Sequence, residues 1–195
     1  MKLMCIALLF ALFACQSNSP ESPGQSEKPI QSRLIKTESE DLVLLQEVIV
    51  EASVKDVWDA YTTEEGWKAW ASPAVEIDLR AGGMIRTHYG ARARIGDPGT
   101  NVIHIVNYVP ERLLTLQAEV EERWPEVMKQ DAGNLMNVIV FEPQGKQRTK
   151  ILSYGVGYKD TEAYNKLMEF FIPANEGLFR QLKDHLETES RGGEE

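Results

Sequence analysis

Two periodicities occupy separate blocks of the chain, and the blocks predict its elements. Leu42 to Val50 (LVLLQEVIV) is aliphatic and β-branched, which predicts a strand. Ser53, followed three positions later by Asp56, has the spacing of a helix cap. Behind it Val54, Val57, Trp58 and Tyr61 fall at i, i+3, i+4 and i+7, one apolar helical face. Thr62-Thr-Glu-Glu65 opens a second short helix with Trp67, Trp70 and Ala71 on one side. The period then switches to two, with Val75, Ile77 and Leu79 alternating with Glu76, Asp78 and Arg80. Further strands are predicted over 84–95 and 100–108, joined by Gly96-Asp-Pro-Gly99, then over 113–120, and as a hairpin of 135–142 and 149–158 around Gly145. A last helix, from about Thr161 to Glu187, carries Tyr164, Leu167, Met168, Phe171, Leu178, Phe179, Leu182 and Leu186 as one stripe. Pro173 inside it predicts a kink. A strand, two short helices, a run of strands and a long helix argue an α+β fold, an antiparallel sheet with its helices on one face. One curved sheet wrapped over the last helix fits this order; a second sheet would leave the C-terminal stripe nowhere to bury itself.

Upstream of residue 40 the pattern is different. Leu3 to Phe13 is an uninterrupted apolar run behind the positive Lys2, with the length of a signal-peptide core and too short for a transmembrane helix. It ends in Leu12-Phe13-Ala14-Cys15, which resembles the bacterial lipobox. The resemblance implies lipidation of Cys15 and cleavage before it. It also implies a lipid-anchored place in the cell envelope, on the periplasmic side of the outer membrane in a Gram-negative cell. Gln16 to Lys36 is rich in Ser, Pro, Gln and Glu and reads as a flexible tether. The expected organisation is a signal peptide at 1–14, a tether at 15–39, a folded domain at 40–189 and a disordered tail at 190–195.

Composition narrows the function. The 195 residues, 43% hydrophobic and 26% charged, suit one folded domain. With 21 Lys and Arg against 30 Asp and Glu, the net charge of −9 and the lack of a basic run argue against nucleic-acid binding. Both cysteines, Cys5 and Cys15, precede the folded part, so disulfides, thiol chemistry and cysteine-ligated metals are excluded there. No nucleophile elbow, zinc-protease helix, phosphate loop or dinucleotide fingerprint occurs. The histidines at 88, 104 and 185 lack the local spacing of a zinc site, so neither metal nor cofactor is expected.

Four short segments in register resemble one family. Val50-Glu-Ala-Ser-Val-Lys-Asp-Val-Trp-Asp-Ala-Tyr-Thr-Thr63, Trp67 to Trp70, Leu79-Arg-Ala-Gly-Gly83 and Tyr108-Val-Pro-Glu-Arg112 are similar to helix-grip (START-like, SRPBCC) domains. The branch they resemble is that of heat-shock-protein ATPase activator homologues, over roughly residues 42–187. The resemblance implies a seven-stranded antiparallel curved sheet gripping the C-terminal helix, with a cavity between them. It does not imply one activity, because the superfamily spans carriers, cyclases, hydrolases and co-chaperones. A co-chaperone role needs a cytosolic partner, which an exported domain would not meet. The chain departs from the pattern at Gln117, where many relatives carry an aromatic, and by a charged insert over 121–134, open to reading as a lid or as a solvated loop.

The candidate site follows from the expected hairpin. With the turn centred between Asp97 and Pro98, Tyr89 faces Val106, Ala91 faces His104 and Ala93 faces Val102. Ile85, Thr87 and Tyr108 share that mostly apolar face, which goes under the helix, so His104 points inward and His88 outward. An inward His104 suits an acid–base or ligand-orienting group, or a neutral histidine satisfied by Tyr89, Tyr108 or water. Trp58, Trp67 and Trp70 read first as core. The expected cavity is lined by Trp70, Tyr89, His104, Tyr108, Tyr154, Met168 and Phe171, with His104 and Tyr154 orienting the ligand. Three readings result. The first is a monomeric, membrane-anchored module binding a small apolar or amphipathic ligand without catalysis. The second is an enzyme of polyketide-cyclase or hydrolase type using His104. The third is an envelope protein-interaction or stress module with a filled cavity.

Overall fold

The computed structural model describes residues 30–192, with side chains to residue 188. The expected signal peptide, Cys15 and most of the tether therefore lie outside the described residues. The elements are β1 (Gln31–Lys36), β2 (Asp41–Val50), α1 (Val54–Thr62), α2 (Glu64–Trp70), β3 (Ala74–Ile77), β4 (Met84–His88), β5 (Asn101–Val109), β6 (Leu113–Ala118), α3 (Glu126–Gln130), β7 (Met136–Pro143), β8 (Thr149–Lys159) and α4 (Glu162–Gly192). The strands form one antiparallel sheet in the order β1-β2-β8-β7-β6-β5-β4-β3. Because β2 and β3 lie far apart in that order, α1 and α2 cross the inner face between them, where α4 also packs.

Local chemistry starts each early helix where the sequence places it. The Ser53 hydroxyl accepts from the Asp56 amide, and Thr63 accepts from the Gly66 amide. Each cap satisfies one of the N–H groups that a helix start leaves unpaired. Period-two burial then sets the faces. In β2, Leu42, Leu44, Gln46, Val48 and Val50 point toward the helices and are buried. The helix α4 runs unbroken through Pro173, and the Gln46 side-chain amide reaches the carbonyl of Ile172 at 3.4 Å.

Three expectations need correction. The sheet has eight strands, because β1 pairs with β2 from Gln31↔Glu47 to Lys36↔Leu42 inside the segment read as tether. That strand is almost wholly exposed; backbone pairing holds it, and hydrophobic periodicity does not announce it. The strand expected over 84–95 ends at His88, and residues 89–100 form a long connection. The β4–β5 register is consequently Met84↔His104, Ile85↔Ile103, Arg86↔Val102 and Thr87↔Asn101. A β-bulge between Ile105 and Asn107 breaks the period-two count in β5. Ile103, Ile105 and Tyr108 share the inner face, while His104 turns outward with a side chain 43% exposed, 3.4 Å from the Glu119 carboxylate.

The interior divides into two apolar clusters. One gathers α1, α2, the middle of the sheet and the second half of α4, including Trp58, Trp67, Ile105, Phe141, Ile151 and Leu182. The other gathers Leu42, Leu44, Tyr158, Tyr164, Met168 and Phe171 with Trp124 and Met128 from the 121–134 insert. The insert thus plugs one end of the grip. Between the clusters runs a polar row. Ser32 and Gln46 are register partners across β1 and β2, as are Gln46 and Ser153 across β2 and β8. Asn175 and Glu176 on α4 close over that row.

Candidate functional site

The site sits where this polar row meets the first cluster. Tyr61 from α1 and Trp67 and Trp70 from α2 form an aromatic wall, with Tyr61 and Trp70 ring centroids 5.3 Å apart and Trp67 and Trp70 5.8 Å apart. The caps at Ser53 and Thr63 fix the helix starts, and therefore the direction of these rings. Both indoles are locked: Trp67 donates to the Tyr61 carbonyl at 2.6 Å, and Trp70 to the Ala60 carbonyl at 2.9 Å. Leu116, Asn137, Ile139 and Ser153 supply the sheet side, and Asn175, Leu178 and Phe179 supply the roof from α4. The cavity is about 30 Å³, room for about two water molecules and far below the ~300 Å³ at which drug-sized ligand pockets begin.

The polar groups are few and specific. Ser153 Oγ donates to Asn137 Oδ1 at 2.9 Å, and Asn175 Nδ2 donates to Gln46 Oε1 at 2.9 Å. Gln46 is 1% exposed and also donates to Ser32 Oγ at 3.0 Å. Asn175 Oδ1 is buried and accepts no hydrogen bond. The one titratable lining group is the Tyr61 phenol, whose pKa burial pushes far above its ordinary value of 10.0. It is neutral at physiological pH. With no second acid or base beside it, the cavity can hold an uncharged molecule and orient it by hydrogen bonds.

The residues expected at the site separate in space. Trp70 lines the cavity. Tyr89 and Tyr108 pack against the first cluster without lining it, and Tyr108 lies 6.0 Å from the Trp58 ring. Burial also pushes the Tyr89 phenol up. Met168 and Phe171 belong to the second cluster, past the polar row. Tyr154 alternates with the inward Ile151 and Ser153 and pairs with Leu45 and Val138 on the outer face. His104 is on that outer face too, which removes it from any chemistry inside the grip. Among the described residues no group of His, Asp and Glu gathers in a metal-holding arrangement, and no helix is long and apolar enough to cross a membrane.

Sequence reasoning missed Asn137, Ser153 and Asn175, although a signal was present. Tyr164, Met168, Phe171, Leu178, Leu182 and Leu186 follow a helical stripe, and Asn175 occupies the stripe position between Phe171 and Leu178. Gln46 likewise interrupts the inward series of β2. A polar residue at an apolar lattice position marks a buried hydrogen bond or a ligand contact.

Comparison with known proteins agrees with this architecture. Comparison with curated proteins by sequence gives no significant match. Among solved structures, the protein NE0264 from Nitrosomonas europaea superposes with a TM-score of 0.58 at 22% identity, covering 80% of this chain and 99% of its own. The Aha1 of Colwellia psychrerythraea, solved as a dimer in solution, gives 0.55 at 16% identity, with coverage of 74% and 96%. CalU16 from Micromonospora echinospora gives 0.54 at 19% identity, with coverage of 84% of each chain. At these identities the likeness is one of fold. The family profile described as Activator of Hsp90 ATPase homolog 1-like protein matches residues 51–188, which takes in α1 through α4 with the aromatic wall and its roof. The chain belongs to the Activator of Hsp90 ATPase homolog 1-like family, on a helix-grip fold.

Proposed function

We propose that this domain is a binding module that takes a small apolar or amphipathic molecule between its sheet and α4, and that lipidated Cys15 holds it at the cell envelope. The observation that carries the binding reading is the aromatic cavity at the break between the two clusters, where Tyr61, Trp67 and Trp70 meet the polar side chains of Asn137, Ser153 and Asn175. Apolar burial would supply most of the affinity and the amides the orientation. The absence of an acid–base pair in the lining favours binding over turnover. The small volume favours a second reading, a protein-interaction module with a filled interior.

One titration separates the two. Benzene is added to the full chain while indole and methyl NMR signals are followed. The binding reading expects saturable shifts at Trp67, Trp70 and Leu178, unchanged by His104→Ala. No saturable shift at those residues would overturn it in favour of the interaction reading. For the anchor, Cys15→Ser is expected to move the chain from the membrane fraction of an expressing bacterium to the soluble one. Membrane retention of that variant would refute lipidation.

A further inference from the structure

A helical stripe facing a core is a place for hydrocarbon, yet α4 puts an asparagine there. Asn175 follows Phe171 by four residues and precedes Leu178 by three, so its half-buried side chain turns toward the interior with Oδ1 fully buried. Half of that amide has a structural task, since Nδ2 donates to Gln46 Oε1 at 2.9 Å and ties α4 to β2. The other half has none: Oδ1 is buried, lines the cavity and accepts no hydrogen bond. A buried carbonyl oxygen without a donor is a standing penalty on the fold, relieved by whatever brings a donor to it.

None of the donors in the walls, the Asn137 amide and the Tyr61 phenol included, hydrogen-bonds to it. The Trp67 and Trp70 indoles give theirs to backbone carbonyls, and the Ser153 hydroxyl gives its proton to Asn137. The lining holds no carboxylate, lysine, arginine or histidine, so a charged guest would be desolvated without a partner. Three of the lining residues, Tyr61, Trp67 and Trp70, are aromatic and lie with neighbouring ring centroids 5.3 and 5.8 Å apart, a wall suited to packing against a flat guest.

We propose that the cavity selects a small, flat, uncharged molecule presenting an N–H or O–H group to Asn175 Oδ1. This selectivity rests on the binding reading above and adds the ligand's chemistry to it. Asn175 is then a specificity-determining residue, and the acceptor on α4 discriminates between guests of equal shape.

Pyrrole and furan test it. Both are flat five-membered rings of nearly equal size, and only pyrrole carries an N–H. Each is titrated into the full chain, following the Asn175 side-chain amide and the Trp67 and Trp70 indole signals by NMR. Pyrrole is expected to bind about tenfold more tightly than furan, the discrimination of one buried hydrogen bond. Asn175→Leu, of similar volume, is expected to abolish the preference while both rings still bind. Equal affinities in the unsubstituted protein, or tighter furan binding, overturn the proposal and leave the binding reading standing. A preference that survives in Asn175→Leu overturns it too. Saturable binding of neither ring fails both. The comparison in the unsubstituted protein decides the matter even if the variant does not fold.

Discussion

Trp124 gives the sharpest test of how the insert works. The side chain is 5% exposed and belongs to the second cluster with Met128, Tyr158 and Phe171, yet its Nε1 is buried without a hydrogen-bond partner. Two opposed magnitudes follow. Burying about 200 Å² of indole contributes up to ~5 kcal/mol at ~25 cal/mol/Å². Desolvating an unpaired N–H takes back about 1–3 kcal/mol. Trp124→Ala should therefore cost about 3 kcal/mol. Trp124→Phe should cost far less: the ring is smaller by roughly 40 Å³, worth about 1 kcal/mol of cavity at ~24 cal/mol/Å³. Relief of the orphaned N–H offsets that loss, so the phenylalanine variant is expected within about 1 kcal/mol of the parent, on either side. Urea unfolding followed by far-ultraviolet circular dichroism reads both, with midpoints compared at a common slope. A loss below about 1 kcal/mol in Trp124→Ala, the range of ordinary surface changes, would refute the plug and return the insert to a solvated loop. Equal losses in the two variants would refute the unpaired indole.

Two further predictions concern other places in the fold. Gly157 has φ +90°, and a Cβ there would sit 2.1 Å from the Asn134 carbonyl oxygen, whereas a Cβ on Gly133 meets nothing within 4 Å; Gly157→Ala should cost about 2 kcal/mol or more in thermal or urea unfolding, with Gly133→Ala near neutral, and similar midpoints for the two would refute the close approach. The Glu47 carboxyl is held below its ordinary 4.5 by a hydrogen bond from Lys150 at 2.6 Å, with Arg33 assisting. A folded pKa below the unfolded one stabilises above about pH 4.5, and that contribution is lost as pH falls through the folded value. Lys150→Met should raise the Glu47 titration midpoint in carboxyl-carbon NMR and flatten the acid limb of stability; an unmoved midpoint would assign the shift to other groups.

Where local chemistry and packing point the same way, the elements are readable from the chain. The caps at Ser53 and Thr63, the apolar face of α1 and the stripe of α4 each specify their helix within a few residues. The β-branched aliphatic run of β2 and the alternation that begins at Val75 in β3 specify their strands in the same manner. Strand β1 was not readable, because QSRLIK has no buried face to reveal and owes its conformation to β2. The candidate site was readable only at Trp70. Tyr89 and Tyr108 reach the core beside the cavity, and Met168 and Phe171 fall beyond the polar row.

The sequence by itself determined the class of fold and the order of most of its elements, since hydrophobic period and capping act between residues a few positions apart, and four short motifs carried the resemblance to the family. The tertiary structure alone decided which way His104 faces and which polar side chains meet. Those outcomes hang on the bulge between Ile105 and Asn107, on the 89–100 connection and on the crossing of α4 over Gln46 and Ser153. A single inserted residue reverses every side chain beyond it in a strand, and the preference for one register over another is summed across the whole sheet.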